Sequence, residues 1–238
     1  MPSTFPRLLA IDTTTEICSI AVQNTNGEIT EATHAQSSHH SQAILPLIEG
    51  ILAQAQLTLN QLNFIAVTTG PGSFTGVRAG IATVQGLAYA LNISVIPFGS
   101  LELVALGMPH TSSIQVIMDA RMQQYYVGSF FWEDNKLISA QAPALYSETE
   151  LFGHLIISDA KSALIGTGVP LLQDKLQMQF PDLALNLNGE LNIPRAKNLI
   201  EYINLLGKNT NLRGLAISPL DLAPVYVRDQ VAHTKKSQ

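Results

Sequence analysis

Apolar and polar positions alternate in kind along the first hundred residues. Continuous apolar runs at 7–12 and 17–22, separated by the polar stretch Thr13-Thr14-Thr15-Glu16, predict two strands joined by a tight turn. The turn Asn24-Thr25-Asn26-Gly27 and the alternation over 28–34 predict a third. From 41 to 54 the period becomes helical: Ile44, Leu47, Ile48, Ile51 and Ala55 recur on one side, and Leu45 and Leu52 widen the stripe beyond one face. Pro46 implies either a late start of that helix or a bend in it. Residues 64–69 predict a buried strand entering Gly70-Pro71-Gly72-Ser73-Phe74-Thr75-Gly76, with a helix over 77–91 behind it. Along one side of that helix lie Gly76, Ala79, Gly80, Thr83, Gly86 and Ala90, a row that lets another backbone approach closely despite the helix-propensity cost of glycine. A strand over 93–98 and a helix from Ser100, as N-cap, through Leu106 complete the first half.

The second half restarts the pattern. Residues 114–118 form an apolar run ending in Asp119, and a strand over 126–130 follows, as 19–22 follows Asp12. Strand, acid, turn and strand used twice indicate an internal duplication. Later come a strand over 162–165 entering Gly166-Thr167-Gly168, a helix over 195–206 with Leu199, Ile200, Ile203 and Leu206 on one side, and an extended segment over 219–231. Gly107, Pro109 and two serines cluster over 106–113, which predicts an α/β lobe over 1–106 and a second over 107–238.

Composition narrows the function. The 238 residues are 46% hydrophobic and 13% charged, against about 25% charged in an ordinary soluble domain. Formal charge is −5, which disfavours a chain that grips nucleic acid unaided; the one basic cluster is Lys235-Lys236. Low charge with high apolar content predicts a surface meant for another protein. No apolar run reaches the roughly 18 residues of a membrane span, and the N-terminus lacks a signal-peptide layout, so a cytoplasmic location is expected. The one cysteine, Cys18, reads as a buried strand thiol.

Candidate chemistry is sparse. The loop 70–76 opening a helix has the form of an anion cradle, so Gly70, Gly72, Ser73 and Thr75 are candidate nucleotide or anion contacts. It lacks a P-loop lysine and dinucleotide spacing, and a tight strand-to-helix turn that places the small-residue helix is the preferred reading. Asp12, at a strand end, either holds a hydrated metal or polarises a water near a phosphate, or caps its own turn; Asp119, followed by Ala120-Arg121 with no glycine, reads as a cap. The six histidines show no metal-ligand spacing, and no nucleophile elbow is present.

Five segments together resemble the bacterial TsaB (YeaZ) family: Ile11-Asp12-Thr13-Thr14-Thr15 with Ser19-Ile20-Ala21, the stretch from His40 to Ile48, Gly70-Pro71-Gly72-Ser73-Phe74-Thr75-Gly76-Val77-Arg78, Asp119-Ala120-Arg121-Met122 with Tyr125-Tyr126, and Gly166-Thr167-Gly168 with Pro224-Val225-Tyr226-Val227-Arg228. The resemblance implies a two-lobed actin, sugar-kinase and heat-shock-ATPase type of fold with duplicated sheet-and-helix halves. It implies a role in adding the threonylcarbamoyl group to the adenosine beside the anticodon of tRNA, as a non-catalytic subunit that dimerises with and activates the catalytic subunit TsaD. In that relative a His-x-x-x-His metal pair follows the strand equivalent to 93–97; here Phe98-Gly99-Ser100-Leu101-Glu102-Leu103 stands there, so no metal site is expected and the older glycoprotease label finds no chemical support. The helices over 41–54 and 77–91 would form a helical bundle with their counterparts in a partner. The interface expected is Ile44, Leu45, Leu47, Ile48, Ile51 and Leu52 on the first, with Val77, Arg78, Ile81, Val84 and Gln85 on the second. Further implied partners are a TsaE-type ATPase and tRNA through the complex alone, with a homodimer left open for the isolated chain. No cofactor is required by the chain itself, ATP or ADP belonging at the complex interface if anywhere. The rivals are a small-molecule kinase or ATPase of the same fold, resting on Asp12 and the two glycine loops, and a peptidase.

Overall fold

The computed structural model describes residues 5–35, 40–109, 111, 113–157, 161–183, 185–187, 189–207 and 212–227. Of the features read from the sequence, His39, His110, His233, Arg228 and the Lys235-Lys236 pair lie outside these residues, as does the extended segment past Val227. The chain opens with a meander of β1 (Leu8–Asp12), β2 (Ile17–Gln23) and β3 (Ile29–Ala35), each antiparallel to the next. Helix α1 (His40–Gln54) leads to β4 (Phe64–Thr68), parallel to β1, and α2 (Phe74–Leu91) leads to β5 (Ser94–Phe98), parallel to β4. The sheet order is β3-β2-β1-β4-β5. Its central strands are covered on both faces, which is why they read as unbroken apolar runs.

One face carries α1 and α2. Ile44, Ile48, Ile51 and Leu52 of α1 and Val77, Ile81 and Val84 of α2 pack with Leu9, Ile11, Ile20, Val22, Ile65 and Val67. This corrects the expected partner interface: those seven side chains are buried in the chain's own core. Two helices sharing one five-stranded face must each cover strands and also touch each other, so the wide stripe is filled without a partner. Cys18 lies in the same core, where burial, with the Asp12 charge, pushes its thiol up to about 12.

Helix α3 (Ser100–Ala105) links to a second sheet of β6 (Ile114–Asp119), β7 (Gln124–Glu133) and β8 (Lys136–Ser147), followed by α4 (Glu148–Leu151), β9 (Ala163–Ile165) and α5 (Gln173–Gln179). The order β8-β7-β6-β9, with β6 antiparallel to β7 and parallel to β9, repeats that of β3-β2-β1-β4. Ser100 is the first residue of α3 rather than its cap; Gly99 holds the cap position, and the Ser100 hydroxyl donates to the Pro71 carbonyl. Leu103 and Leu106 join the core of the first sheet, while Leu101, Val104 and Ala105 join that of the second.

From Ala196 the chain returns to the first sheet. Ala196, Leu199, Ile200 and Ile203 of α6 (Ala196–Gly207) pack on Leu8, Ala10, Ala21, Ala66 and Ile96, on the face opposite α1 and α2. Ser19 Oγ accepts from Ala196 N at 2.9 Å and donates to Glu31 Oε1 at 2.8 Å, and Glu31 also accepts from Arg195 Nε at 3.1 Å and Lys197 N at 3.2 Å. Burial works to raise the Glu31 carboxyl, but these donors and the Arg195 charge hold it below its ordinary range. Ile217 then bridges Val95, and Val225 N donates to Thr69 O at 2.8 Å. Helix α6, with Ile217, Leu222 and Val225, thus lies in the second lobe by sequence order at 106/107 but packs with residues of the first. Among the described residues no helix is long and apolar enough to cross a membrane.

Candidate functional site

The β1–β2 turn and the β6–β7 turn, equivalent in the two repeats, face each other across a cleft of about 640 Å³. Thr14, Thr15 and Glu16 line it from one repeat and Asp119, Ala120 and Arg121 from the other, with Gly72, Ser73, Phe74, Thr75 and Thr167 on its walls. Asp12 does not reach the cleft. Fully buried, its carboxylate accepts from Thr14 N at 3.2 Å, Thr14 Oγ1 at 2.9 Å and Thr68 Oγ1 at 2.6 Å. Burial pushes its pKa up to about 6, against the opposing pull of the Thr68 and Thr14 hydrogen bonds. Asp12 is thus hydrogen-bonded to its own turn through Thr14 and to β4 through Thr68. Asp119 Oδ1 accepts Arg121 N at 2.8 Å, and the Arg121 guanidinium pairs with Asp119 and with Glu16 across the cleft. Arg121, Met122 and Gln123 are all left-handed, three successive side-chain-bearing residues in a region where they are uncommon.

The glycine loop owes its composition to the β1–β2 turn. Ser73 N donates to Thr14 O at 2.7 Å and Thr13 Oγ1 donates to Gly76 O at 2.7 Å. A Cβ at Gly72 would overlap Thr14, and one at Gly76 or Gly80 would overlap Thr13. The small-residue row thus faces this chain's own backbone at its N-terminal end. Gly70, at φ +108°, is buried, and Ser73 Oγ caps α2 by accepting from Gly76 N at 3.3 Å. Of the anion candidates, Gly72, Ser73 and Thr75 reach the cleft wall, while the Ser73 amide is already occupied. The second glycine loop repeats the device: Gly168 N donates to Ile117 O at 2.9 Å and Thr167 Oγ1 accepts from Asp119 N at 3.0 Å. Among the described residues no three His, Cys, Asp or Glu side chains gather as a metal site.

The outer face of α1 and α2 carries the rest of the expected interface. Leu45 and Arg78 are exposed; Leu47 and Gln85 are half-buried, Gln85 Nε2 donating to Leu222 O at 2.9 Å. Phe74, Arg78, Ala82, Gly86 and Tyr89 form one exposed stripe at helical spacing. Gly50 in α1 and Gly86 in α2 have nothing within 4 Å of where a Cβ would stand. At the head of the stripe the Arg78 guanidinium lies 3.7 Å above the Phe74 ring, and its Nε donates to Tyr226 Oη at 2.8 Å. Phe74 and Tyr226 were not among the residues expected at an interface. Tyr226 is 148 residues from Arg78, and only the return of the tail along Thr69 brings them together.

The family model described as "TsaD: tRNA N6-adenosine threonylcarbamoyltransferase" matches residues 28–236. The Haemophilus influenzae protein named tRNA threonylcarbamoyladenosine biosynthesis protein TsaB is 33% identical, over 96% of each chain. The chain belongs to the TsaB (YeaZ) family. Escherichia coli TsaB is 28% identical, over 96% of this chain and 97% of its own. The solved structure of YeaZ from Pseudomonas aeruginosa superposes with a TM-score of 0.76 at 27% identity, covering 93% of this chain and all of that one. The ethanolamine utilization protein EutJ of Carboxydothermus hydrogenoformans, at 9% identity and a TM-score of 0.51 over 84% of this chain and 92% of its own, shares the fold alone. The fold of this TsaB-family chain is α/β and of the actin, sugar-kinase and heat-shock-ATPase type.

Proposed function

We propose that this chain is a non-catalytic subunit in the biosynthesis of tRNA threonylcarbamoyladenosine, which pairs with a TsaD-type catalytic subunit and activates it, a TsaE-type ATPase and tRNA engaging through the complex. The names of the relatives supply the pathway. The observation that carries the non-catalytic part is Asp12: the acid that a kinase or ATPase of this fold would present to a metal-bound phosphate lies beneath the cleft, closed in by Thr14 and Thr68. Support for pairing comes from Gly50 and Gly86, each costing about 0.5–1 kcal/mol inside a helix with no close neighbour in this chain to require it. A second surface approaching α1 and α2 would offset that cost. The interface then falls on the exposed Leu45, Arg78 and the stripe through Gly86, with the half-buried Leu47 beside them.

The test is reconstitution with purified TsaD-type subunit, TsaE-type ATPase, tRNA, ATP and a threonylcarbamoyl donor. Modification should appear with the full set and vanish when this chain is left out. The pure chain should neither modify tRNA nor hydrolyse ATP; turnover above about 1 s⁻¹, the lower end of ordinary enzymes, would establish the kinase or ATPase reading instead.

A further inference from the structure

The guanidinium of Arg78 is held in place before any partner arrives. Phe74, one helical turn earlier, supports its face at 3.7 Å, and Tyr226 accepts from Nε at 2.8 Å while its own ring stands 5.9 Å from that of Phe74. A guanidinium fixed in this way loses little further freedom on forming a two-pronged contact, and its planar donors match a carboxylate. Among the described residues no carboxylate pairs with Arg78, whereas Arg121, at the cleft, is paired with both Glu16 and Asp119. Arg78 also heads the stripe that runs through Ala82 and Gly86 to Tyr89, whose other residues are uncharged. Arginine and tyrosine in an apolar surround are the residues that dominate binding at protein interfaces.

We propose that Phe74, Arg78 and Tyr226 form a preorganised carboxylate-recognition platform, through which this chain takes one aspartate or glutamate of the catalytic partner and sets the register of the two proteins. The inference rests on the pairing proposed above and adds the chemistry of the contact. A carboxylate is favoured over a nucleic-acid phosphate because the surroundings are apolar and the chain carries a net charge of −5, which repels a polyanion.

The experiment measures association of the full chain with purified TsaD-type subunit at low and high ionic strength, for wild type, Arg78→Gln and Arg78→Lys. Arg78→Gln should weaken binding about tenfold or more and flatten its salt dependence. Arg78→Lys should recover only part of the loss, since an ammonium keeps the charge without the fork or the stacking. Melting of the isolated variants should match wild type, because the side chain is exposed. Equal affinity for Arg78→Gln, with wild type binding normally, overturns the platform and leaves the pairing intact. A loss that follows a lowered melting temperature, or that appears in tRNA binding alone, also overturns it. If wild type forms no complex, the platform fails together with the pairing.

Discussion

Asp12 ends β1 out of contact with solvent, and its partners Thr14 and Thr68 come from a turn and from the neighbouring strand. Burial outweighs their hydrogen bonds, so the folded carboxyl titrates near 6 rather than 3.8. The folded state then holds its proton more tightly than the unfolded chain does. The stability this confers is complete at pH below the unfolded value and is lost as pH rises through about 6, a swing on the order of 3 kcal/mol. Asp12→Asn should remove that step: the difference between wild-type and variant unfolding free energies, from urea titrations between about pH 4 and about pH 8, should change across this window, and parallel profiles would contradict it. The variant should also support tRNA modification at neutral pH in the reconstituted system. The sequence marks an acid at a strand end and leaves two uses open. Closure of Asp12 beneath the cleft depends on Thr68, 56 residues away, and no local spacing reports that contact.

Helix α2 shows the same division on a larger scale. Its row of small residues is plain in the sequence, but the row has two different surroundings. At Gly76 and Gly80 it meets Thr13, and at Gly86 it meets nothing in this chain. Gly76→Ala should therefore cost about 2 kcal/mol or more, as a methyl is forced against backbone, whereas Gly86→Ala should stabilise by about 0.5–1 kcal/mol through helix propensity. Urea denaturation of the two variants gives opposite signs if the assignment holds; destabilisation by both would place Gly86 in a packed contact. Ile81, 5% exposed, belongs to the core, so a charge there would unfold the chain rather than probe an interface. Element positions were legible where strands are covered on both faces, as in β1, β2 and β4. Strand β8 was not, because it forms one edge of its sheet, half-exposed, with irregular pairing to β7 near Ser129, so it shows neither an apolar run nor a clean alternation.

For the whole molecule, the repeated strand, acid, turn and strand announced the duplicated architecture, but the path of the chain from α6 onward was hidden, because an amphipathic helix does not show which sheet it covers. Tyr202 of α6 joins both halves: its ring lies 5.7 Å from Phe98 and 5.8 Å from Trp132, and its hydroxyl accepts from Leu137 N at 3.1 Å. A fragment of residues 1–106 should accordingly fail to fold alone, since Leu8, Ala10, Ala21, Ala66 and Ile96 would face water where Leu199, Ile200 and Ile203 belong; a cooperative thermal transition from that fragment would refute this. The same arrangement has a meaning for the chain as it leaves the ribosome. All five strands of the first sheet are synthesised about a hundred residues before α6 begins. At roughly 5–20 residues per second its open face waits some 5–20 s for the helix that closes it. Nascent-chain force measurements should therefore register folding of the first sheet only after Gly207 has cleared the exit tunnel, and until then that face is open to chaperones.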